Sequence, residues 1–153
     1  MMQVSRSLEY AVRSLVCLAS SRRPMDLGAI AEKERIPRAY LAKIMRTLVR
    51  GGLVSSTQGR TGGYRLRKPP GRIRLLEIYM LTEGPSKLLP CIGDGGSCSA
   101  SASCSQKPVW IKVEQAVNEA FRNVTLKEML PKKTNGGKGA GKRFEDPLSQ
   151  ERG

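Results

Sequence analysis

The stretch Ile36 to Pro69, IPRAYLAKIMRTLVRGGLVSSTQGRTGGYRLRKP, limits the possible folds more than any other part of the chain. Ile36-Pro37 places a proline at the first position of a helix, where its missing N–H is not needed and its fixed φ suits the turn. The helical run covers roughly 37 to 50, and Gly51-Gly52 stops it. Leu53-Val-Ser-Ser and Tyr64-Arg-Leu-Arg then flank a turn-rich QGRTGG, which predicts a β-hairpin directly after the helix. Leu41, Ile44, Leu48 and Val49 form the inward face of that helix and need other helices to pack on.

Those helices lie upstream. Leu8, Ala11, Val12, Leu15, Leu18 and Ala19 recur at helical spacing, predicting an amphipathic helix over about 5 to 20 that Arg22-Arg23-Pro24 ends. Asp26 is a good N-cap for a short helix, LGAIAEKE. Two short helices, a tight turn and a hairpin make a winged helix-turn-helix. Residues 75–82, LLEIYMLT, predict one more short helix. From Lys107 the apolar positions Val109, Trp110, Val113, Ala116, Val117, Ala120, Phe121 and Val124 form a wide stripe on a long helix, and Thr125-Leu-Lys-Glu128 has the capping-box pattern for a last short turn. The expected fold is therefore mainly α with a small β-hairpin wing, followed by a long C-terminal helix. It divides into a winged helix-turn-helix at 1–82, a cysteine-rich loop at 83–106, the long helix and closing turn at 107–130, and a basic tail at 131–153 whose Lys/Gly-rich composition predicts disorder.

Charge follows this division. Residues 1–75 carry 16 Lys and Arg against 4 Asp and Glu, whereas residues 76–130 carry 5 against 6. A basic half joined to a neutral one points to a polyanionic partner for the basic half, since clustered charge selects partners better than total charge. In a helix-turn-helix the second helix enters the major groove of double-stranded DNA. Arg38, Ala39, Tyr40, Ala42, Lys43 and Arg46 are left facing outward on that helix, and Lys43 and Arg46 lie one turn apart. The hairpin tip is the second expected contact: Gln58, Arg60, Thr61 and Gly62, with Arg65 behind them, form a glycine-rich turn on which Arg60 can enter a minor groove. The alternative for Arg60, Arg65 and Arg67 is a solvated hairpin face. Neutralising about six phosphates gives a log–log salt slope near −5.

Glu9 and Arg13 interrupt the first apolar run, so it is not a signal peptide, and no stretch approaches the length of a membrane span. A cytoplasmic, reducing compartment is the expectation. There, three cysteines spaced Cys91-x6-Cys98-x5-Cys104 among Gly, Ser and Ala suggest metal chemistry more than structural disulfides. Soft thiolates bind iron–sulfur clusters or zinc, and flexible spacers let ligands converge. The spacing is too wide for a simple zinc knuckle, and the chain has no histidine, so a fourth ligand comes from an oxygen group, Cys17, a small molecule or another subunit. The alternatives are a zinc-binding nucleic-acid module and a thiol switch. Cys17 lies in the first helix's apolar face and reads as a buried structural thiol. Catalysis is not expected: without histidine, and with only Asp94 as an acid in the loop, a general base is missing.

Taken together, LEYAVRSLVCLA, IPRAYLAKIMRTLVRGGLVSS, QGRTGGYRL, the three-cysteine loop and TLKEML resemble the bacterial IscR/NsrR-type winged-helix regulators from about Leu8 to Leu130. The resemblance implies a homodimer formed largely by the long helix, through Val109, Trp110, Val113, Val117, Ala120 and Phe121. It also implies an iron–sulfur cluster, 4Fe-4S favoured over 2Fe-2S, that controls binding to a dyad-symmetric operator in response to nitric oxide, redox or iron status. Members like IscR carry a histidine three residues after the last cysteine, where this chain has Lys107. Members like NsrR complete the cluster with an acidic residue from the partner's first helix, which corresponds to Glu9. On residue chemistry alone, Glu9 reads first as a surface ion pair with Arg13 four residues on, and only the resemblance and the missing histidine set the ligand reading beside it.

Overall fold

A computed structural model describes residues 4–85 and 104–132. Five helices and one hairpin follow in the order α1 (Arg6–Ala19), α2 (Leu27–Glu34), α3 (Arg38–Arg50), β1 (Val54–Thr57), β2 (Gly63–Leu66), α4 (Leu75–Glu83) and α5 (Lys107–Asn123). Short 3₁₀ turns lie at Pro70–Arg72 and Leu126–Met129.

The local signals act as their chemistry requires. The Ser5 hydroxyl accepts the Leu8 N–H at 3.1 Å to start α1, and Asp26 Oδ1 accepts the Ala29 N–H at 3.0 Å to start α2. Pro37 sits just before α3 as its cap rather than inside its first turn. Arg35, in the turn between α2 and α3, is left-handed with φ 52°, a conformation that normally selects glycine. At the end of α3, a Cβ on Gly51 would lie 2.3 Å from Leu81 of α4. A side chain at 51 would have to displace Leu81, so glycine suits this approach of the two helices.

Leu8, Ala11, Leu15 and Leu18 of α1, Ile30 of α2 and Leu41, Ile44, Met45 and Leu48 of α3 meet in one core, closed by Leu53, Val54 and Ile73. Met45 is fully buried whereas Val49 is only half-buried, so the inward face of α3 is rotated slightly from the one the periodicity predicts. The strands pair antiparallel from Val54–Leu66 to Thr57–Gly63. Met25 adds a bridge on the outer edge of β2, exchanging hydrogen bonds with Tyr64 at 3.0 and 2.8 Å.

The C-terminal segment is tied back to this body. Leu75 N–H bonds Val124 O at 2.9 Å and Leu126 N–H bonds Ile73 O at 2.8 Å, which places the Leu126 side chain in the core with no exposure. The Thr125–Glu128 capping box forms as its sequence pattern predicts. Backbone and hydroxyl hydrogen bonds from Thr125 hold the Glu128 carboxyl below its ordinary value.

Candidate nucleic-acid interface

Because Leu41, Ile44, Met45 and Leu48 all point inward, α3 must expose the row that includes Arg38, Ala39, Lys43 and Arg46. Arg50 extends this row by one further turn, four residues after Arg46, and is exposed as well. Its place in the sequence, beside Gly51-Gly52, disguises it as a helix terminus; the i, i+4 spacing from Arg46 is the signal that identifies it. Ala42 is half-buried. Tyr40 behaves differently from its neighbours. It is 37% exposed, its hydroxyl lies 2.8 Å from Ser7 Oγ, and its ring meets Tyr10 edge-on at 5.6 Å. One face of Tyr40 thus fastens the start of α3 to the first turn of α1.

Gln58, Arg60 and Thr61 are exposed at the hairpin tip, and Gly62 closes the turn through its N–H to Gly59 O at 3.0 Å. Gly63 has φ 139°, and a Cβ there would lie 2.7 Å from Met25 O. The third-strand bridge therefore requires glycine at 63 on two counts. Arg65 is exposed on β2 opposite Ser55.

Between α3 and the hairpin lies an open cleft of about 420 Å³ lined by Arg46, Val49, Arg50, Ser56 and Tyr64. Its floor is apolar and its rim cationic. The carboxylates that form ion pairs lie elsewhere: Glu9 and Glu34 on Arg13, Glu77 on Lys68, and Glu119 on Arg122. Among the described residues, Arg38, Lys43, Arg46, Arg50, Arg60 and Arg65 have no carboxylate partner. Six cations without an ion-pair partner on one helix and its wing leave a strongly positive surface, with Asp26 as a nearby carboxylate beside the hairpin tip.

The residues read as cluster ligands are only partly visible. Cys91 and Cys98 lie outside the described residues. Cys104 is half-exposed just ahead of α5, and its carbonyl accepts the Lys107 N–H at 3.4 Å. Glu9 is 51% exposed in the first turn of α1 and pairs with Arg13 at 3.3 Å. Arg13 has other support, since Glu34 bonds it through both its carboxylate and its backbone carbonyl, and the Tyr10 ring lies beneath it at 5.8 Å. Glu9 can therefore leave the pair without orphaning Arg13. Among the described residues no group of three or more Cys, Asp or Glu side chains is gathered as a metal site. Cys17 is buried, its thiol 3.8 Å from Met25 Sδ, and burial pushes its pKa up against the opposing pull of Lys33. A neutral, inert thiol is the result.

On α5, Val109, Trp110 and Val113 remain 59%, 39% and 40% exposed. Ala120 is exposed, whereas Val117 is half-buried and Phe121 turns toward its own chain, its ring 5.3 Å from Tyr79. No residue of α5 is buried.

The model of the family described as Rrf2, iron-dependent transcriptional regulator, matches residues 4–132. The chain belongs to the Rrf2 family. The HTH-type transcriptional regulator IscR of Klebsiella pneumoniae is 30% identical over 131 residues, covering 84% of this chain and 80% of the relative. Among solved structures, T. potens IscR superposes with a TM-score of 0.67 at 29% identity, covering 84% of this chain and 85% of that one. CymR, the global cysteine regulator of B. subtilis, superposes with a TM-score of 0.66 at 26% identity, covering 84% and 96%. This is a winged-helix, DNA-binding transcriptional regulator, from a family of transcriptional regulators. No helix among the described residues is long and apolar enough to cross a membrane.

Proposed function

We propose that this Rrf2-family regulator works in the cytoplasm as a homodimer on a dyad-symmetric operator, with an iron–sulfur cluster setting its affinity for DNA. The observation that carries the DNA contact is the row Lys43, Arg46 and Arg50, without ion-pair partners along one face of α3, with Arg38 exposed at the start of the helix and the equally unpaired wing beside them. In this reading Arg38, Ala39, Lys43 and Arg46 meet base edges and phosphates in the major groove. Gln58, Arg60, Thr61 and Gly62 follow the minor groove, Arg65 supports them from β2, and Tyr40 sets the angle at which α3 enters. The backbone separating the two grooves passes through the cleft of Arg46 and Arg50.

Support for the dimer comes from the apolar side chains that α5 leaves in water: Val109, Trp110 and Val113, with Ala120 and Val117 further along the same helix. A second copy can cover such a stripe, which among the described residues is left exposed.

Cys91, Cys98 and Cys104, with Glu9 of the partner subunit, would hold the cluster. Three thiolates and one carboxylate suit iron, and a 4Fe-4S centre is favoured over 2Fe-2S. When bound, the cluster supplies a centre that nitric oxide, oxidants or iron shortage can alter. The chain's part is to make Glu9 responsive: Arg13 stays bonded to Glu34 whether or not Glu9 is engaged. Ser7, two residues from Glu9, holds Tyr40 at the head of α3. A pull on the first turn of α1 is therefore felt where DNA is contacted. A coupling of about 1–3 kcal/mol gives a 5–150-fold change in operator affinity.

Protein purified without oxygen and assayed for iron, sulfide and visible absorption, then titrated onto DNA before and after iron removal, tests this. A brown chromophore whose loss changes affinity is expected. Colourless protein with stoichiometric zinc, or affinity indifferent to iron, overturns the cluster and favours a zinc site or thiol switch. A Glu9→Ala variant with an unchanged spectrum removes Glu9 from the ligand set.

A further inference from the structure

A second basic cleft lies on the other side of the wing. Arg22, Arg23, Arg65 and Lys68 rim a hollow of about 270 Å³ floored by Leu18 and Leu66. Lys68 is engaged by Glu77, whereas among the described residues Arg22, Arg23 and Arg65 have no carboxylate partner. The place of Arg22 and Arg23 is fixed by the fold. Ser21 Oγ donates to Arg23 O at 2.7 Å and accepts the Arg23 N–H at 3.3 Å, forming a tight local turn. Two residues later Met25 bridges Tyr64, which sets the Arg22-Arg23 segment along the outer edge of β2, opposite β1.

That edge faces a definite part of a duplex. A minor groove is only about 6 Å wide, so a hairpin inserts its tip and its flanks lie over the two sugar-phosphate backbones bounding the groove. In the winged-helix docking proposed above, one backbone follows the cleft lined by Arg46 and Arg50, on the α3 side of the wing. The other runs past the opposite flank, where Arg22, Arg23 and Arg65 stand. We propose that Arg22, Arg23 and Arg65 form a second phosphate clamp, gripping the far backbone of the minor groove that the wing enters, so that the wing is held from both sides. This rests on the winged-helix docking proposed above and adds contacts beyond it. Arginines gathered around one hollow that Leu18 and Leu66 help to line suit a phosphodiester, which needs directional donors and no buried counter-charge.

The test uses the full chain and a duplex, several helical turns long, carrying the sequence that the protein enriches from a random pool. Arg22→Gln/Arg23→Gln is compared with Arg22→Lys/Arg23→Lys and with Lys112→Gln/Lys132→Gln, which removes the same charge from outside the hollow. Each phosphate contact contributes about 0.9 to the log–log salt slope, so the first variant, which removes two arginines from each subunit of the proposed homodimer, should lower its magnitude by about 4. The lysine variant and the control outside the hollow should keep the wild-type slope. Phosphate-ethylation interference should fade for the first variant along a single backbone beside the wing. An unchanged slope, an equal loss in the control outside the hollow, or interference retained along that backbone overturns the clamp. If instead Lys43→Gln/Arg46→Gln leaves binding intact, the docking itself is wrong, a failure separate from that of the clamp.

Discussion

Arg46 takes part in two surfaces, the outward row of α3 and the cleft beneath the wing, and is the residue on which DNA affinity should depend most. Lys43→Gln/Arg46→Gln, which removes two cations from each subunit of the proposed dimer, should reduce the magnitude of the salt slope by about 4 and weaken binding at every salt concentration, measured by fluorescence anisotropy. Its effect on folding should be small, because both side chains are exposed. Gly63 behaves in the opposite way. It touches no DNA in this arrangement, yet Gly63→Ala should destabilise the protein by about 1–3 kcal/mol, since the Cβ meets both an unfavourable φ and the Met25 backbone. Denaturant unfolding with the same midpoint as wild type would contradict this. The glycine-rich tip was legible in the sequence, but the reason for Gly63 was not. It depends on Met25, nearly forty positions away, which no local pattern marks as a strand partner.

At the scale of elements, the closing turn after α5 has more influence than its four residues suggest. Leu126 is fully buried and its N–H completes a bridge to Ile73, so Leu126→Ala should cost about 2–5 kcal/mol by thermal or denaturant unfolding. A loss under 1 kcal/mol would mean the C-terminal segment does not pack on the core. The capping box adds a pH dependence of known sign. The Glu128 carboxyl is held below its ordinary 4.5 by the hydrogen bonds from Thr125. The stability it contributes is therefore present above about that pH and is lost as pH falls through the lowered value. Glu128→Gln should flatten that acid-side dependence, as followed by unfolding between neutral and acid pH. The turn's pattern was plain from Thr125-Leu-Lys-Glu128, and α1 to α4 emerged from caps and periodicity within a residue or two. The rotation of α3 that buries Met45 instead of Val49 was hidden, because 3.6-residue periodicity places both on nearly the same face.

For the whole molecule, the outstanding feature is that α5 projects Val109, Trp110 and Val113 into solvent while contributing no buried residue of its own. Val113→Glu should shift the species seen in analytical ultracentrifugation from dimer to monomer and weaken operator binding, because a monomer grips one half-site only. A monomeric wild type would overturn the prediction. What the sequence alone determined was the kind of element at each place and the sign of its charge. Caps, proline and glycine positions, apolar spacing and the excess of Arg and Lys over residues 1–75 are local properties, and local physics reads them directly. What only the tertiary structure decided was which distant groups come together: Tyr40 on Ser7, Arg13 on Glu34, Arg50 and Ser56 in the lining of one cleft, and Arg22-Arg23 beside Arg65 in another. Such contacts depend on how helices pack and chains cross. No periodicity within one segment encodes the position of another.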